Sequence, residues 1–202
     1  KKKKKKITKL ANKKKIKILV DAAQSISHLK IDVKKINCDY LVFSGHKIMG
    51  PTGVGILYIK EEHLNILNPF LRGGQMIKEV EKYKATWNDP PWKFEAGTPN
   101  IAQVIGLSKS IIYINQLGLE NIKDYEQQLL NYLLLQLNNI EGINIFGHHN
   151  NSGPIISFNI EGCHPYDIAK LLDGKDMCIR AGHHCAQLLM NSLKTNYTNR
   201  IS

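Results

Sequence analysis

Short apolar runs and polar turns alternate along the first third of the chain. Apolar runs lie at residues 16–20, 40–43 and 54–59, and each has the length of a buried strand. Residues 24–37 leave room for a helix or crossover between the first two runs, which favours parallel pairing. The turn-rich segment 50–53 precedes the third run and favours an antiparallel return. The pattern therefore predicts that these runs form one sheet.

The middle of the chain changes character twice. Residues 68–100 are rich in Gly, Pro and Trp and have no sustained period, so they are predicted to be a functional or partly disordered loop. Two helices are predicted after them, at 101–117 and 122–137. Their apolar stripes are interpreted as core faces, formed by Ile101, Val104, Ile105, Ser108, Ile111 and Ile112, then by Ile122, Tyr125, Leu129, Tyr132, Leu133 and Leu137.

Strands and helices mix in the remaining residues. Strands are predicted at 143–146, 155–160 and 177–180, and a helix at 165–172. The change of pattern near Ile112 indicates that a second, smaller α+β domain begins there. The sequence thus predicts an α/β fold with domains at 16–112 and 113–202.

Composition narrows the classes of function. The 202 residues are 43% hydrophobic, which suits a globular core, and the formal net charge is +11. Much of that charge lies in residues 1–15, a lysine-rich low-complexity segment that is expected to be disordered and solvated. It lacks the aromatic residues and motif spacing of nucleic-acid binders, so nucleic acid is not expected as a partner. A membrane is not expected either, and four cysteines without a disulfide pattern favour a reducing compartment.

Five side chains of different chemistry are expected to converge on one cleft. Asp21 and Gln24 follow the first strand, and Ser44, His46 and Lys47 follow the second. Ligands bind outside the carboxyl ends of the strands in open α/β sheets, so parallel pairing would gather these side chains. Each residue alone is explained by capping or by surface exposure, but the set favours a binding site.

The glycines that follow Lys47 do not form a phosphate-binding P-loop, because that motif places its lysine after the last glycine. A lysine at the end of a buried strand suits Schiff-base chemistry instead, since partial desolvation favours the neutral amine. Asp21 could pair with a protonated pyridine nitrogen. Ser44 and His46 could donate hydrogen bonds to a phosphate.

A second polar group spans residues 180–186, R-A-G-H-H-C-A. Zinc is a weaker interpretation, because adjacent ligands on a short loop seldom fit a tetrahedron and no C-x-x-C pair is present. A nucleophilic Cys185 is favoured, since Arg180 and two histidines would stabilise the reactive thiolate. The other three cysteines are expected to be buried and inert: Cys38, Cys163 and Cys178.

Five motifs in order carry a family resemblance. They are VDAAQ at 20–24, FSGHK at 43–47, GPTGVGILY at 50–58, FEAGTPN at 94–100 and RAGHHCAQ at 180–187. Together they resemble the SUF-type cysteine desulfurases, the group of pyridoxal-phosphate enzymes that includes selenocysteine lyases. The match runs from about Ile16 to Ser202, and the R-x-G-H-H-C-A form distinguishes this group from the housekeeping desulfurases, whose loop is serine-rich.

The resemblance implies a fold and a set of residue roles. Residues 16–112 would be part of the large domain of a fold-type-I transferase, with a mostly parallel sheet, and 113–202 the small domain. Lys47 would form the Schiff base with pyridoxal phosphate, and Cys185 would be the nucleophile. The remaining roles implied are Asp21 on the pyridine nitrogen, Gln24 on the ring hydroxyl, Ser44 and His46 on the phosphate, Thr98 on the phosphate of a partner subunit, and Arg180 and Arg200 at the substrate carboxylate.

The implied reaction converts L-cysteine to L-alanine and leaves a persulfide on Cys185. The implied partners are a second copy of the chain in a homodimer and a SufE-type acceptor that takes the sulfur for iron–sulfur cluster assembly. Selenocysteine lyase, an inactive fragment and a basic binding module are the alternatives.

The chain departs from the family in three respects. It lacks the N-terminal half, which supplies a histidine stacked on the cofactor ring, so these residues alone are expected to bind the cofactor poorly. The family usually has a proline where Gln187 or Leu188 stands. Abundant Lys, Asn and Ile are typical of an AT-rich genome, which favours a parasite plastid (apicoplast) over the alternative, a bacterial cytoplasm.

Overall fold

The structure, a computed structural model, describes residues 2–147 and 153–202. Two compact units make up the chain, Lys1–Ile122 and Lys123–Ser202. The domain division predicted near residue 112 falls inside a helix of the first unit. The first unit contains Lys47 and the second contains Cys185.

The lysine-rich segment forms helix α1 (Lys2–Lys13). Thr8 is 2% exposed and Ala11 9% exposed, and the Asn12 side-chain amide donates to the carbonyl oxygen of Asn37 at 3.4 Å. Residues three apart share one face of a helix, so Thr8 and Ala11 give this helix a buried side. The expectation of a disordered segment is wrong here, because the polar composition concealed these two inward positions.

Three strands form the sheet of the first unit: β1 (Leu19–Asp21), β2 (Tyr40–Ser44) and β3 (Gly55–Ile59). β1 pairs parallel with β2, with Val20 opposite Leu41, and β3 pairs antiparallel with β2. Both predicted pairings are confirmed, as is the α/β class. Because β3 returns antiparallel, this sheet is mixed.

The crossover between β1 and β2 holds turns and one short helix, α2 (Val33–Ile36). Asp32 precedes α2, and its side chain accepts a hydrogen bond from the backbone N–H of Lys35 at 2.9 Å, which satisfies an otherwise unpaired helix donor. Cys38, 1% exposed, lies in the core that the crossover covers. Its expected burial is confirmed.

The segment predicted to be a loop contains regular structure. It includes strands β4 (Ile77–Val80) and β5 (Ala85–Trp87) and a 3-10 turn at Trp92–Phe94, and helix α3 (Glu61–Leu64) precedes it. The two strands pair antiparallel. Sequence periodicity missed them because each strand has only three or four residues and the alternation of a short strand cannot be told from chance.

Two long helices follow, α4 (Ile101–Leu117) and α5 (Leu119–Leu137), separated by Gly118 with φ +83°. Their existence is confirmed, but the predicted core faces are largely wrong. The buried residues of α4 are Leu107, Ser110 and Ile114, and those of α5 are Leu130, Leu134 and Leu137. Both helices carry apolar residues on more than one side, so the apolar stripe alone did not identify the buried face. No helix in the described part of the chain combines the length and apolar character needed to cross a membrane.

The second unit is built on a four-stranded antiparallel sheet. It begins within α5, and its further elements in chain order are β6 (Ile143–Phe146), β7 (Ile156–Ile160), α6 (Pro165–Asp173), β8 (Arg180–Gly182), α7 (Gln187–Ser192) and β9 (Thr198–Ile201). The strand order is β6-β7-β9-β8, and Ile156 of β7 packs with the buried leucines of α5. The strand predicted at 177–180 is misplaced, because β8 begins only at Arg180. Helix α7 and strand β9 were not predicted.

Candidate active site

The ends of β1 and β2 place polar residues at one edge of the sheet. Asp21 is the last residue of β1 and is in register with Val42 of β2, so Ser44 ends β2 two residues further on. The backbone N–H of Ala22 donates to the Val42 carbonyl oxygen at 2.8 Å, which keeps the two strand ends together. Because the strands are parallel, the residues that follow both ends leave the sheet on the same side.

Asp21 and Gln24 lie on the exposed side of a tight turn. The Asp21 carboxylate oxygen Oδ1 accepts a hydrogen bond from the backbone N–H of Ala23 at 2.8 Å. Ala22 between them is fully buried, while Asp21 and Gln24 are both exposed. Burial of the alanine fixes the turn and leaves the two polar side chains outside.

Lys47 belongs to residues 45–54, here named the Lys47 loop, which connects β2 to β3. The loop begins as a 3-10 turn (Gly45–Ile48) and is closed by hydrogen bonds from Gly45 N–H to the Val54 carbonyl (2.8 Å) and from Gly50 N–H to the Gly45 carbonyl (3.0 Å). His46 and Lys47 are exposed. The desolvation predicted for Lys47 is therefore not provided by the described residues, because the lysine lies beyond the buried strand rather than inside it.

Ser44 precedes the 3-10 turn without capping it through its side chain. A serine in that position usually accepts a hydrogen bond from the turn, and this one does not. Its hydroxyl remains available to a ligand at the same edge as His46.

Close backbone approach explains the glycines of the Lys47 loop. A Cβ at Gly45 would lie 2.8 Å from Val54 Cγ1, and one at Gly50 would lie 2.8 Å from the Gly45 carbonyl oxygen. Real Cβ atoms essentially never come so near, so any other residue would open the turn that carries Lys47.

Helix α4 packs against the Lys47 loop and forms hydrogen bonds with it. The Ser110 hydroxyl donates to the carbonyl oxygen of Ile48, and Ile48 packs in one core cluster with Leu107 and Ile114. At the start of the helix, the Asn100 amide donates to the carbonyl oxygen of Gly53 at 2.6 Å. These contacts run along one side of the helix, which is not the side that the apolar stripe predicted to be buried.

Thr98 is exposed on a segment held at several points. Lys93 is 9% exposed, and its ammonium donates to the carbonyl oxygens of Leu64 (3.3 Å) and Asn65 (3.1 Å). The backbone N–H of Gly97 donates to the carbonyl oxygen of Gly74 at 2.9 Å. The role predicted for Thr98 toward a partner subunit stays a prediction.

Cys185 lies in residues 182–186, here named the Cys185 loop. His184 and Cys185 have φ of 56° and 58°, a left-handed conformation that costs about 1–2 kcal/mol for each residue with a side chain. Two histidine contacts hold the turn: His183 Nδ1 accepts the backbone N–H of Cys185 at 3.1 Å, and His184 Nε2 donates to the Thr198 carbonyl oxygen at 3.0 Å. The Cys185 thiol is exposed.

The imidazole rings of His183 and His184 do not point at a common centre, because His183 Nδ1 is directed to the loop backbone and His184 Nε2 to Thr198. Burial lowers the pKa of His184, a hydrogen bond to Thr198 partly opposes that shift, and the positive charge of Arg200 and Arg180 lowers the pKa further. His184 is therefore neutral at physiological pH, and its Nδ1 is buried without a hydrogen-bond partner in the described structure.

Arg180 and Arg200 are direct cross-strand partners on β8 and β9. Like charges in opposite positions of a strand pair repel each other, and Arg200 Nε is buried without a hydrogen-bond partner in the described chain. An anion bound between the two guanidinium groups would relieve both effects. The sequence prediction that both arginines serve one anion fits this geometry.

Cys163 and Cys178 are exposed free thiols. The expectation that they are buried is wrong, since both lie in connections that flank α6 rather than in the strands of the sheet. Exposure makes them competitors of Cys185 for any thiol chemistry.

One ionic cluster, in which Asp39 and His63 are buried while Lys17 and Glu62 are exposed, was not predicted from the sequence. Asp39 Oδ1 lies 2.7 Å from His63 Nε2, and the Lys17 ammonium lies 3.1 Å from that same nitrogen. Glu62 completes a group whose oxygens and nitrogen lie within 4.8 Å of one another. The Lys17 ammonium, 3.1 Å from His63 Nε2 and 3.6 Å from Asp39 Oδ1, repels a metal cation, so the cluster is an ion-pair network that joins the residues before β1 and β2 to α3.

Comparison with known proteins gives consistent matches along the whole chain. The aminotransferase class-V family model matches residues 2–202. A cysteine desulfurase of Wigglesworthia glossinidia brevipalpis is 49% identical over 97% of this chain and 48% of its own length. The chain spans about half the length of the curated relatives it matches.

Solved structures agree with the sequence relatives. The apo cysteine desulfurase of Thermococcus onnurineus is 41% identical, with a TM-score of 0.93 over 98% of this chain and 50% of its own. A C-DES variant with glycine covalently linked to its pyridoxal-phosphate cofactor is 26% identical, with a TM-score of 0.72 over 92% of this chain and 46% of its own. The chain belongs to the aminotransferase class-V family.

Proposed function

We propose that this chain carries the Lys47 amine and the Cys185 thiol of a pyridoxal-phosphate-dependent cysteine desulfurase. The observation that carries the proposal is the exposed Lys47 amine, which leaves the sheet at the same edge as the Asp21 carboxylate, in a chain whose relatives are cysteine desulfurases. The whole protein would convert L-cysteine to L-alanine.

The side chains at this edge fit the chemistry of pyridoxal phosphate. A carboxylate suits the protonated ring nitrogen, an amide suits the ring hydroxyl, and a hydroxyl with an imidazole suits the phosphate. The residues that would hold the group are Asp21, Gln24, Ser44, His46 and Lys47. When bound, the cofactor supplies an electron sink for the substrate's α-carbon. The uncapped Ser44 hydroxyl supports this assignment.

Lys47 has two tasks in the proposed reaction. Its amine would hold the cofactor covalently, and it would move a proton at the substrate's α-carbon. A base of this kind must keep its nitrogen within hydrogen-bonding reach of that proton. The hydrogen bonds that close the Lys47 loop serve this requirement.

Arg180 and Arg200 bind the substrate carboxylate in this proposal. The planar guanidinium group forms paired hydrogen bonds with a carboxylate, and the unpartnered Nε of Arg200 offers one such donor. Removal of either arginine should raise KM for cysteine more than it lowers kcat.

The thiol step balances without an external oxidant. The Cys185 thiolate attacks the substrate sulfur, an S–S bond forms, and the substrate C–S bond breaks with its electron pair left on the carbon side. Protonation of that carbon gives alanine, and the enzyme keeps the sulfur as a persulfide. An acceptor thiol then takes the terminal sulfur.

The finer assignments extend this proposal. The R-x-G-H-H-C-A motif supports the SUF-type group, with a SufE-type acceptor and iron–sulfur cluster assembly as the destination of the sulfur. Thr98 supports a homodimer, because its expected ligand is the phosphate of a partner subunit. Residue composition supports a plastid location.

Selenocysteine lyase is the second candidate, favoured by the same cysteine motif. Selenium release from selenocysteine depends less on an enzyme thiol than sulfur release from cysteine. The Cys185→Ser variant should therefore keep most selenocysteine turnover in a lyase and lose cysteine turnover in a desulfurase.

Three versions of the complete protein test the proposal: the parent, Lys47→Ala and Cys185→Ser. We expect the parent to be yellow and to release alanine from cysteine. Lys47→Ala should be colourless after dialysis, and Cys185→Ser should be yellow but release almost no sulfide. Cys178→Ser, which alters another exposed thiol, is the matched control and should behave like the parent. A colourless parent, or full activity in Cys185→Ser, would contradict the proposal.

A further inference from the structure

Asn100 makes an unexpected hydrogen bond for its position. Its backbone carbonyl accepts the N–H of Val104 at 2.9 Å, so Asn100 is the residue that precedes the first turn of α4. Asparagine is favoured there because its side chain caps the helix. Here the side chain makes no capping hydrogen bond, and its amide donates to the Gly53 carbonyl oxygen at 2.6 Å instead.

The acceptor lies on the returning limb of the Lys47 loop. Gly53 has φ +78°, and it is followed by Val54, whose carbonyl oxygen receives the N–H of Gly45. The Asn100 amide therefore binds the Lys47 loop at Gly53, one residue before Val54, whose carbonyl oxygen closes the loop by accepting the Gly45 N–H. A shift of Gly53 would move Val54 and, through Gly45, the turn that carries Lys47.

The other neighbour of Asn100 is the Thr98 segment. Only Pro99 separates Asn100 from Thr98, and the ring of a proline fixes its backbone φ. One side chain thus connects two segments that are forty-seven residues apart in sequence. Both segments carry residues assigned to cofactor binding.

We propose that Asn100 is a positioning residue that ties the Lys47 loop to the Thr98 segment and so sets where the Lys47 amine lies. This inference rests on the proposed function for its catalytic meaning. The tether itself is a property of the polypeptide alone.

The hydrogen bond to the Gly53 carbonyl oxygen requires a donor in the side chain of residue 100. A helix cap at the same residue requires an acceptor. Asn100→Asp keeps an excellent capping group but cannot donate, and it places a carboxylate against the Gly53 carbonyl. Asn100→Gln keeps the amide donor on a longer side chain. If Asn100 mattered only as a cap, the aspartate variant would match the parent and the glutamine variant would be worse.

Asn121→Asp provides a matched control in the same unit. The Asn121 amide donates to the Leu117 carbonyl oxygen at 2.7 Å in an equally exposed place. The substitution removes the same kind of hydrogen bond from a site that touches neither the Lys47 loop nor Thr98.

The first measurement is amide hydrogen exchange of the complete protein without cofactor. Asn100→Asp should speed exchange of the Gly45 and Gly50 amides about tenfold, the effect of losing one well-formed hydrogen bond. Asn100→Gln should exchange more slowly than Asn100→Asp, and Asn121→Asp should leave both amides unchanged. Unchanged exchange in Asn100→Asp would overturn the tether.

The second measurement uses the protein loaded with pyridoxal phosphate. Asn100→Asp should raise the cofactor dissociation constant about tenfold and shift the pH at which the absorption band of the bound cofactor changes, while Asn121→Asp should do neither. A spectrum, pH profile and dissociation constant like the parent's would overturn the positioning role. If the parent itself takes up no pyridoxal phosphate, the proposed function fails, and the exchange experiment still decides the tether.

Discussion

The Lys47 loop and the Cys185 loop carry the two reactive groups and are built in opposite ways. The Lys47 loop closes on itself through two backbone hydrogen bonds, and α4 supports it through Ser110 and Asn100. The Cys185 loop contains two successive residues in the left-handed conformation. It is held by two histidine contacts, and its thiol is exposed.

The difference matches the tasks proposed for the two groups. An amine that keeps a cofactor covalently bound and moves a proton at one carbon gains from a fixed position. A thiol that takes sulfur from a substrate and delivers it to an acceptor has to reach two places. Backbone strain in the Cys185 loop lowers the cost of leaving the resting conformation.

Gly50→Ala should damage the Lys47 loop most. The added Cβ would lie 2.8 Å from the Gly45 carbonyl oxygen and 3.1 Å from Leu107 Cδ1, so the loop must open, at a cost of about 2–3 kcal/mol. Urea unfolding followed by the fluorescence of Trp87 and Trp92, which lie in the first unit, measures this. Gly74→Ala is the control: its Cβ meets nothing within 4 Å, and it should change stability by less than about 0.5 kcal/mol. Equal effects of the two substitutions would contradict the account.

Ser110→Ala should weaken the same loop by a smaller amount. The substitution removes a buried donor and leaves the Ile48 carbonyl oxygen unpaired, which costs about 1–2 kcal/mol. Ser108→Ala, on the exposed side of the same helix, is expected to be neutral. The same fluorescence assay measures this. If Ser110→Ala leaves the free energy of unfolding unchanged, α4 does not stabilise the Lys47 loop through this hydrogen bond.

An alanine variant is usually more stable than a glycine variant, and at Cys185 we expect the reverse. Glycine tolerates a positive φ without strain, so Cys185→Gly should be more stable than Cys185→Ala by about 1 kcal/mol. The pair at Cys178, which does not have a positive φ, should show alanine equal to or better than glycine. Calorimetry of the four variants decides, and an alanine advantage at both sites would remove the evidence for strain in the Cys185 loop.

Acid pH should lower the stability of the Cys185 loop, and this is the smallest of the four predicted effects. Because burial lowers the pKa of His184, the unfolded state binds the proton first as pH falls, and the loop loses stability below the ordinary histidine pKa of about 6.5. Hydrogen exchange of residues 182–186, corrected for intrinsic rates, should show less protection at acid pH. His184→Gln should lose this pH dependence; its persistence would assign the effect to another group.

Much of the first unit's sheet was predictable from the sequence, because its strands are short apolar runs that end at polar residues. The parallel pairing of β1 and β2 followed from the length of the crossover, and it correctly placed Asp21 and Ser44 at one edge. These features depend on local patterns and chain length.

Other features depend on contacts between distant residues. The hydrogen bonds of Asn100 and Ser110 were not predicted, since nothing local to these residues indicates Gly53 or Ile48 as partners. The buried face of α4 was misassigned because the helix is apolar on more than one side. The exposure of Cys163 and Cys178 and the pairing of Asp39 with His63 likewise arise only in the folded chain.

Peptide mass mapping of the complete protein after turnover with L-cysteine tests the central claim most directly. One portion is reduced with borohydride to fix the cofactor to its lysine, and the other is alkylated to preserve persulfides. We expect the pyridoxyl group on Lys47 and one additional sulfur atom on Cys185. A pyridoxyl group on another lysine, or additional sulfur on Cys163 or Cys178 instead of Cys185, would contradict it.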